Sequence, residues 1–153
     1  MSFQPLPFSK RAQSRVIKQQ SAATIRDLID VVVELLTNCN DSYCRLEDEG
    51  KHPSGKIELY VSREKGSKCK EVKIKDYPEG MKKEKLSKAI GYGEKSSGFT
   101  EGKTVRGLLG RGLKESIIGL GTNGEIYTKK EGVRHGVKIY EKQGVIGYDS
   151  INI

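Results

Sequence analysis

The sequence has no long apolar run. No stretch approaches the roughly 18 consecutive apolar residues that a membrane-spanning helix needs, so no membrane association is expected. The opening residues, MSFQPLPFSKRAQSR, lack an apolar h-region, which argues against a secretory signal. Cysteine is scarce. Cys39, Cys44 and Cys69 are odd in number and form no C-x-x-C, which excludes a disulfide framework and the common zinc spacings. Small semi-buried thiols in a reducing cytoplasm, or in a nucleus, are the expectation. Of the two histidines, neither His52 nor His135 has the setting of a phosphoryl acceptor. Acids are also outnumbered: 20 Asp and Glu stand against 28 Lys and Arg, giving a net charge of +8. Such an excess suits a polyanion, either nucleic acid or the phosphates of a nucleotide. The densest basic cluster, MKKEKLSK from Met81 to Lys88, contains one acid.

At 153 residues the chain fits one domain with a workable core. Residues 1–20, with Pro5, Pro7 and a basic polar run, read as an N-terminal arm that could end in a short helix. From Ser21 a helix is predicted, capped by Ser21 or Thr24, with Asp27 and Asp30 near its positive end. Ile25, Leu28, Ile29, Val32 and Leu36 fall at helical spacing, and the helix runs to about Leu46, ahead of KHPSG. KIELYVSRE and EVKIKD alternate as strands, joined through REKGSK. Residues 81–112 show little periodicity, and a loop of that length is usually functional. LKESIIGL predicts a short helix, GEIYTKK and GVKIYEKQ a hairpin, and GVIGYDSINI a last strand. This order favours an α+β fold, a two-layer sandwich.

Three stretches carry chemistry. In ELLTNCNDS, Glu34, Asn38 and Asp41 fall within about 60° on one helix face, opposite the apolar residues. That is the geometry of a helix with its back on a core and a polar stripe along a site, or of a plain solvated stripe. In KIKDYPEGM, Asp76 ends a strand and Pro78, Glu79 and Gly80 force a turn. A carboxylate fixed there can accept from an exocyclic amine such as that of adenine, and Gly80 lets a flat base approach the backbone. In RGLLGRGLKESIIGLG, Gly107, Gly110 and Gly112 precede a helix whose N-terminus favours phosphate, with Arg111 and Lys114 adding positive charge. SGFTEGKT superficially resembles a P-loop, but it has neither the buried strand before it nor the long helix after it.

These stretches, in this order, resemble the ATP-binding domain shared by gyrase, the ninety-kilodalton heat-shock chaperone, histidine kinases and MutL, the GHKL family. Glu34, Asn38 and Asp41 match all three positions of its E-x-x-x-N-x-x-D box. Asp76, Gly80 and Met81 match its first glycine box, where Pro78 replaces the first glycine. Gly107, Gly110, Gly112 and Leu113 match the second box. The resemblance covers roughly residues 21–140 and implies the Bergerat fold: a mixed, mostly antiparallel sheet with helices on one face. It implies ATP and Mg²⁺ as ligands, with Asn38 giving an oxygen to Mg²⁺ and Glu34 acting as general base. Asp41 would lie near the sugar and base, and Asp76 would read the adenine amine beside Gly80 and Met81. Gly110, Gly112 and the start of the following helix would hold the phosphates, with Gly107 and Leu113 of the same box also at the nucleotide. Residues 82–112 would form the ATP lid, with Lys95 and Lys103 as candidate phosphate contacts. The whole would be an ATPase serving as a nucleotide-driven switch, an isolated N-terminal portion of a longer protein that forms an ATP-dependent homodimer. A histidine-kinase-type phosphoryl donor and a non-enzymatic basic nucleic-acid-binding module are the alternatives.

Overall fold

In a computed structural model of the chain, residues 4, 7, 9–66, 69–91 and 111–153 are described. The first helix, α1 (Lys10–Thr24), occupies most of the stretch expected to be an arm. Ser9 caps it by accepting a hydrogen bond from the Ala12 amide at 3.2 Å. Its buried residues are Ser14 and Ser21 rather than a row of large apolar side chains, so hydrophobic periodicity gave no sign of it. The second helix, α2 (Leu28–Asp48), starts later than expected because Asp27, not Ser21 or Thr24, is its cap. The Asp27 carboxylate accepts from the Asp30 amide, and Asp30 reaches back to the Arg26 amide at 2.9 Å. That backbone hydrogen bond holds the Asp30 carboxyl below its ordinary pKa.

Strands β1 (Glu58–Arg63) and β2 (Cys69–Lys75) form an antiparallel hairpin with an irregularity at Ser62 and Arg63. Helix α3 (Lys83–Ile90) falls inside the segment expected to be an aperiodic loop. It is two turns long, and Leu86 and Ala89 are its buried residues, too short a pattern to separate from a lysine-rich coil. Helix α4 (Arg111–Leu120) precedes β3 (Asn123–Lys130), β4 (Val133–Lys142) and β5 (Val145–Ile151). These three strands form an antiparallel meander. Both of its tight turns place two successive residues at positive φ, Glu131–Gly132 and Gln143–Gly144, the signature of type I′ hairpins. The α+β class with antiparallel pairing is as expected; among the described residues the strands divide into two sheets.

The core lies between the meander and the two short helices. Leu86 of α3 packs with Ile126, Val137 and Ile139 of the sheet, and Leu113 and Ile117 of α4 close over them. Ile126 and Val137 are direct partners across β3 and β4, so inward side chains from both strands meet at one level. Helix α1 is fastened to the far edge. The Ile146 amide of β5 donates to the Ser14 hydroxyl at 3.0 Å, and Ile25 sits against Gly119 of α4. Replacing Ile139, 5% exposed, with alanine should cost about 2–5 kcal/mol in urea unfolding. A loss below about 0.5 kcal/mol would show that this layer is not the core.

Candidate functional site

The polar stripe of α2 faces α4. Glu34 and Asn38 are one helical turn apart, and the Asn38 amide donates to the Glu34 carboxylate. Asp41, one turn further, is 2% exposed and close enough to act on Glu34 electrostatically. From the opposite side comes α4. A Cβ on Gly112 would overlap the Glu34 carboxylate and stand 2.8 Å from its Cγ, so only glycine lets the two helices meet here. Glu115, three residues along α4 and 2% exposed, adds a second acid beside Glu34. Burial, and then the Glu115 and Asp41 charges, push the Glu34 carboxyl above its ordinary pKa, while the Asn38 hydrogen bond opposes them.

Asp76 follows β2 and meets the same helix on another side. It is half-buried, and the thiol of Cys39, the residue after Asn38, donates a hydrogen bond to its carboxylate. Burial, and then the Asp76 charge, push the Cys39 thiol up to about 12, so it stays protonated and remains a donor. Burial also raises the Asp76 carboxyl, against the Cys39 hydrogen bond and the Arg45 guanidinium. Arg45 lies on the stripe itself, about 20° round the helix from Glu34 at three turns' distance. Its Nη2 donates to Ser42 Oγ at 2.9 Å, while Nε and Nη1 are buried without an acceptor among the described residues.

Tyr43 of α2 fixes the strand end. Its hydroxyl donates to the Lys56 carbonyl at 3.2 Å and accepts from the Tyr77 amide at 3.3 Å, holding the backbone next to Asp76. The Tyr77 phenol in turn donates to Glu58, and this bond, ahead of Lys56, lowers the Glu58 carboxyl to about 2. The turn that follows is tied to β3. Glu79 pairs with Lys130 at 3.2 Å, the Met81 amide donates to Thr128 Oγ1 at 2.7 Å, and Gly80 sits at φ +63° against the Lys129 carbonyl.

The structure thus brings Glu34, Asn38, Asp41 and Gly112 together and joins Asp76 to them through Cys39. Gly80 and Met81 lie at the β3 side of the same turn, and Met81 and Leu113 pack against the sheet core. Gly107, Gly110, Lys95, Lys103 and most of the expected lid lie outside the described residues. Lys114, expected to add charge near phosphates, is buried and donates to the Gly91 carbonyl at the end of α3. Sequence reasoning missed Cys39, Tyr43, Arg45 and Glu115. Arg45 was within reach, since Glu34, Asn38, Asp41 and Arg45 repeat at i, i+4, i+7 and i+11 on one face. The other three are recognisable only from what they touch.

A family model described as histidine kinase-, DNA gyrase B-, and HSP90-like ATPase matches residues 26–143. The chain belongs to that family. A comparison with curated proteins returns no match. As a member of the histidine kinase, gyrase B and HSP90-like ATPases, the chain is a GHKL-type ATP-binding domain, and its match spans α2 through β4 with every site residue named above.

Two outcomes test this packing. Gly112→Ala should lower stability by about 1–3 kcal/mol, and most of that loss should vanish in a Glu34→Ala background, where the obstructing carboxylate is gone. Equal losses in both backgrounds would refute the contact. The raised Glu34 pKa fixes a sign as well. The stability this carboxyl lends the fold is full below its unfolded pKa and is lost as pH rises through the folded one. Glu34→Gln should therefore raise the unfolding midpoint at neutral pH and leave it unchanged in acid below the carboxylate range.

Proposed function

We propose that this domain binds ATP with Mg²⁺ and hydrolyses it, using Glu34 as the general base and serving as a nucleotide-driven switch. The observation that carries the reading is the meeting of Glu34, Asn38 and Gly112 between α2 and α4, with Asp76 linked to the same helix. The donor set fits the ligands. Among the described residues no three His, Cys, Asp or Glu side chains could cage a metal. That suits an ion held by one protein oxygen together with phosphate oxygens and water, as Mg²⁺ is in nucleotide sites. With its amide nitrogen on Glu34, Asn38 keeps its amide oxygen for that role. Gly112 stands in the first turn of α4, whose N-terminus would favour phosphate oxygens. Bound Mg²⁺ would neutralise developing charge on the phosphates.

The protein's own residues supply the rest. Glu34, with its pKa lifted by burial and by Glu115, is a stronger base than an exposed carboxylate. It would take a proton from water as the water oxygen bonds to the γ-phosphorus and the bond from that phosphorus to the β–γ bridging oxygen breaks, leaving ADP and phosphate. Asp76, kept in place by Cys39 and by the Tyr43 clamp on the next amide, would accept from the adenine amine. Asp41, Gly80 and Met81 would lie along the sugar and base, and Gly107, Gly110, Gly112 and Leu113 along the phosphates. Of the expected lid, residues 82–112, only the part between α3 and α4 would act as the lid, since α3 packs in the core and Gly112 against Glu34. ATP-dependent pairing of two copies would complete the switch.

Calorimetric titration with a non-hydrolysable ATP analogue tests this. The wild type should bind with Mg²⁺. Asp76→Ala should bind roughly 10- to 100-fold more weakly through loss of a charge-assisted hydrogen bond. Asn38→Ala should lose its response to Mg²⁺, and Glu34→Ala should bind normally yet release no phosphate from ATP. Absence of binding to folded wild type, or intact turnover in Glu34→Ala, would sink the reading.

A further inference from the structure

Helix α1 lies wholly outside residues 26–143, the span of the family match, yet it is fastened firmly to the domain. It carries Lys10, Arg11, Arg15 and Lys18 and not a single acid. These four cations span about 12 Å of helix axis. Arg11 lies across the β4–β5 turn, with its Nε on the Gln143 carbonyl at 3.2 Å and its stem 3.7 Å from the position of a Cβ on Gly144. Lys18 pairs with Glu141 at the end of β4. Between them Arg11, Ser14, Arg15, Lys18, Glu141 and Gly144 line an open pocket of about 140 Å³. Lys10 and Arg15 are exposed and make no hydrogen bond or ion pair among the described residues.

We propose that this face of α1, together with the β4–β5 turn, is a contact surface for the phosphodiester backbone of a nucleic acid. Arg11, Arg15 and Lys18, at i, i+4 and i+7, fall within about 60° on one helix face, with Lys10 at its start. Such a row matches a polymer of regularly spaced charges better than a single small anion. Guanidinium forks are also suited to phosphate oxygens, and Arg15 has its fork free of partners among the described residues. Gly144 lines the pocket, and its positive φ in the type I′ turn favours glycine there.

The other basic surface is weaker by its own neighbours. Around α3, Lys82 pairs with Glu131 and Lys130 with Glu79, while Glu84 stands among the remaining lysines. Those ion pairs occupy lysines on this side, whereas Lys10 and Arg15 of α1 have no partner among the described residues.

The test is fluorescence anisotropy of the full chain with a short labelled DNA duplex, between about 50 and 200 mM salt. Affinity should fall steeply with salt. Lys10→Ala/Arg15→Ala should weaken binding roughly tenfold per lost phosphate contact at about 0.1 M salt and reduce the log–log slope by about 1 per contact. Both substituted residues are exposed, so the unfolding midpoint and ATP-analogue affinity should stay at wild-type values. Lys82→Ala/Lys88→Ala should change DNA binding less. Failure of the wild type to bind, wild-type binding by the α1 variant, or a larger loss in the α3 variant would each overturn the assignment. So would a stronger preference for phosphatidylserine vesicles than for DNA, which would make the face a membrane contact.

Discussion

The close approach of α4 to α2 at Gly112 is the contact on which the rest of the site depends. A missing side chain sets the distance between the helices, and the carboxylate of Glu34 fills the space that side chain would take. Because interiors transmit small displacements, moving α4 outward would disturb more than the polar stripe. Leu113 and Ile117, on the same helix, form the lid of the sheet core, and Gly119 receives Ile25 from the segment before α2. One helix thereby serves the core, the docking of α1 and the chemistry of Glu34.

The acids of this site are held in a deliberate imbalance. Glu34 keeps a carboxylate neighbour, Glu115, whose charge opposes its own, and nearby Asp41 adds to the repulsion. Asp76 has the opposite environment, with a thiol donor and a guanidinium to temper its burial. Two carboxyls on either side of one helix are thus raised by the same physical cause, burial, but only one is left with charge against it. Residues held at some cost to stability are characteristic of functional sites, where local choices need not agree with the best fold.

Much of the fold was legible, and the exceptions have physical reasons. The strands announced themselves by alternation, and α2 by its apolar spacing. Yet Leu59 and Val61 of β1 and Ile29 of α2 are exposed, and the apolar residue α2 buries fully is Val31. Helix α1 buries serines, and α3 is too short to show a period, so neither could be found by hydrophobicity. At the site, Glu34, Asn38, Asp41 and Gly112 were readable as a pattern because their spacing follows the helix repeat and their chemistry is of recognisable types. Cys39, Tyr43 and Glu115 were not. Each acts through a partner far off in sequence, and Tyr43 reaches both the residue after Gly55 and the one after Asp76.

The docking of α1 also has a consequence for how the chain assembles. Its hydrogen bonds to the β4–β5 hairpin join residues 132 positions apart, whereas the hairpins pair close neighbours. Contacts of such long separation pay their loop-closure entropy late, after local pairings have formed. During synthesis α1 leaves the ribosome well before its partners on β5. At translation rates of about 5–20 residues per second, that leaves the basic helix waiting for roughly ten seconds without its dock. The element that finishes the domain is made before the strands that hold it.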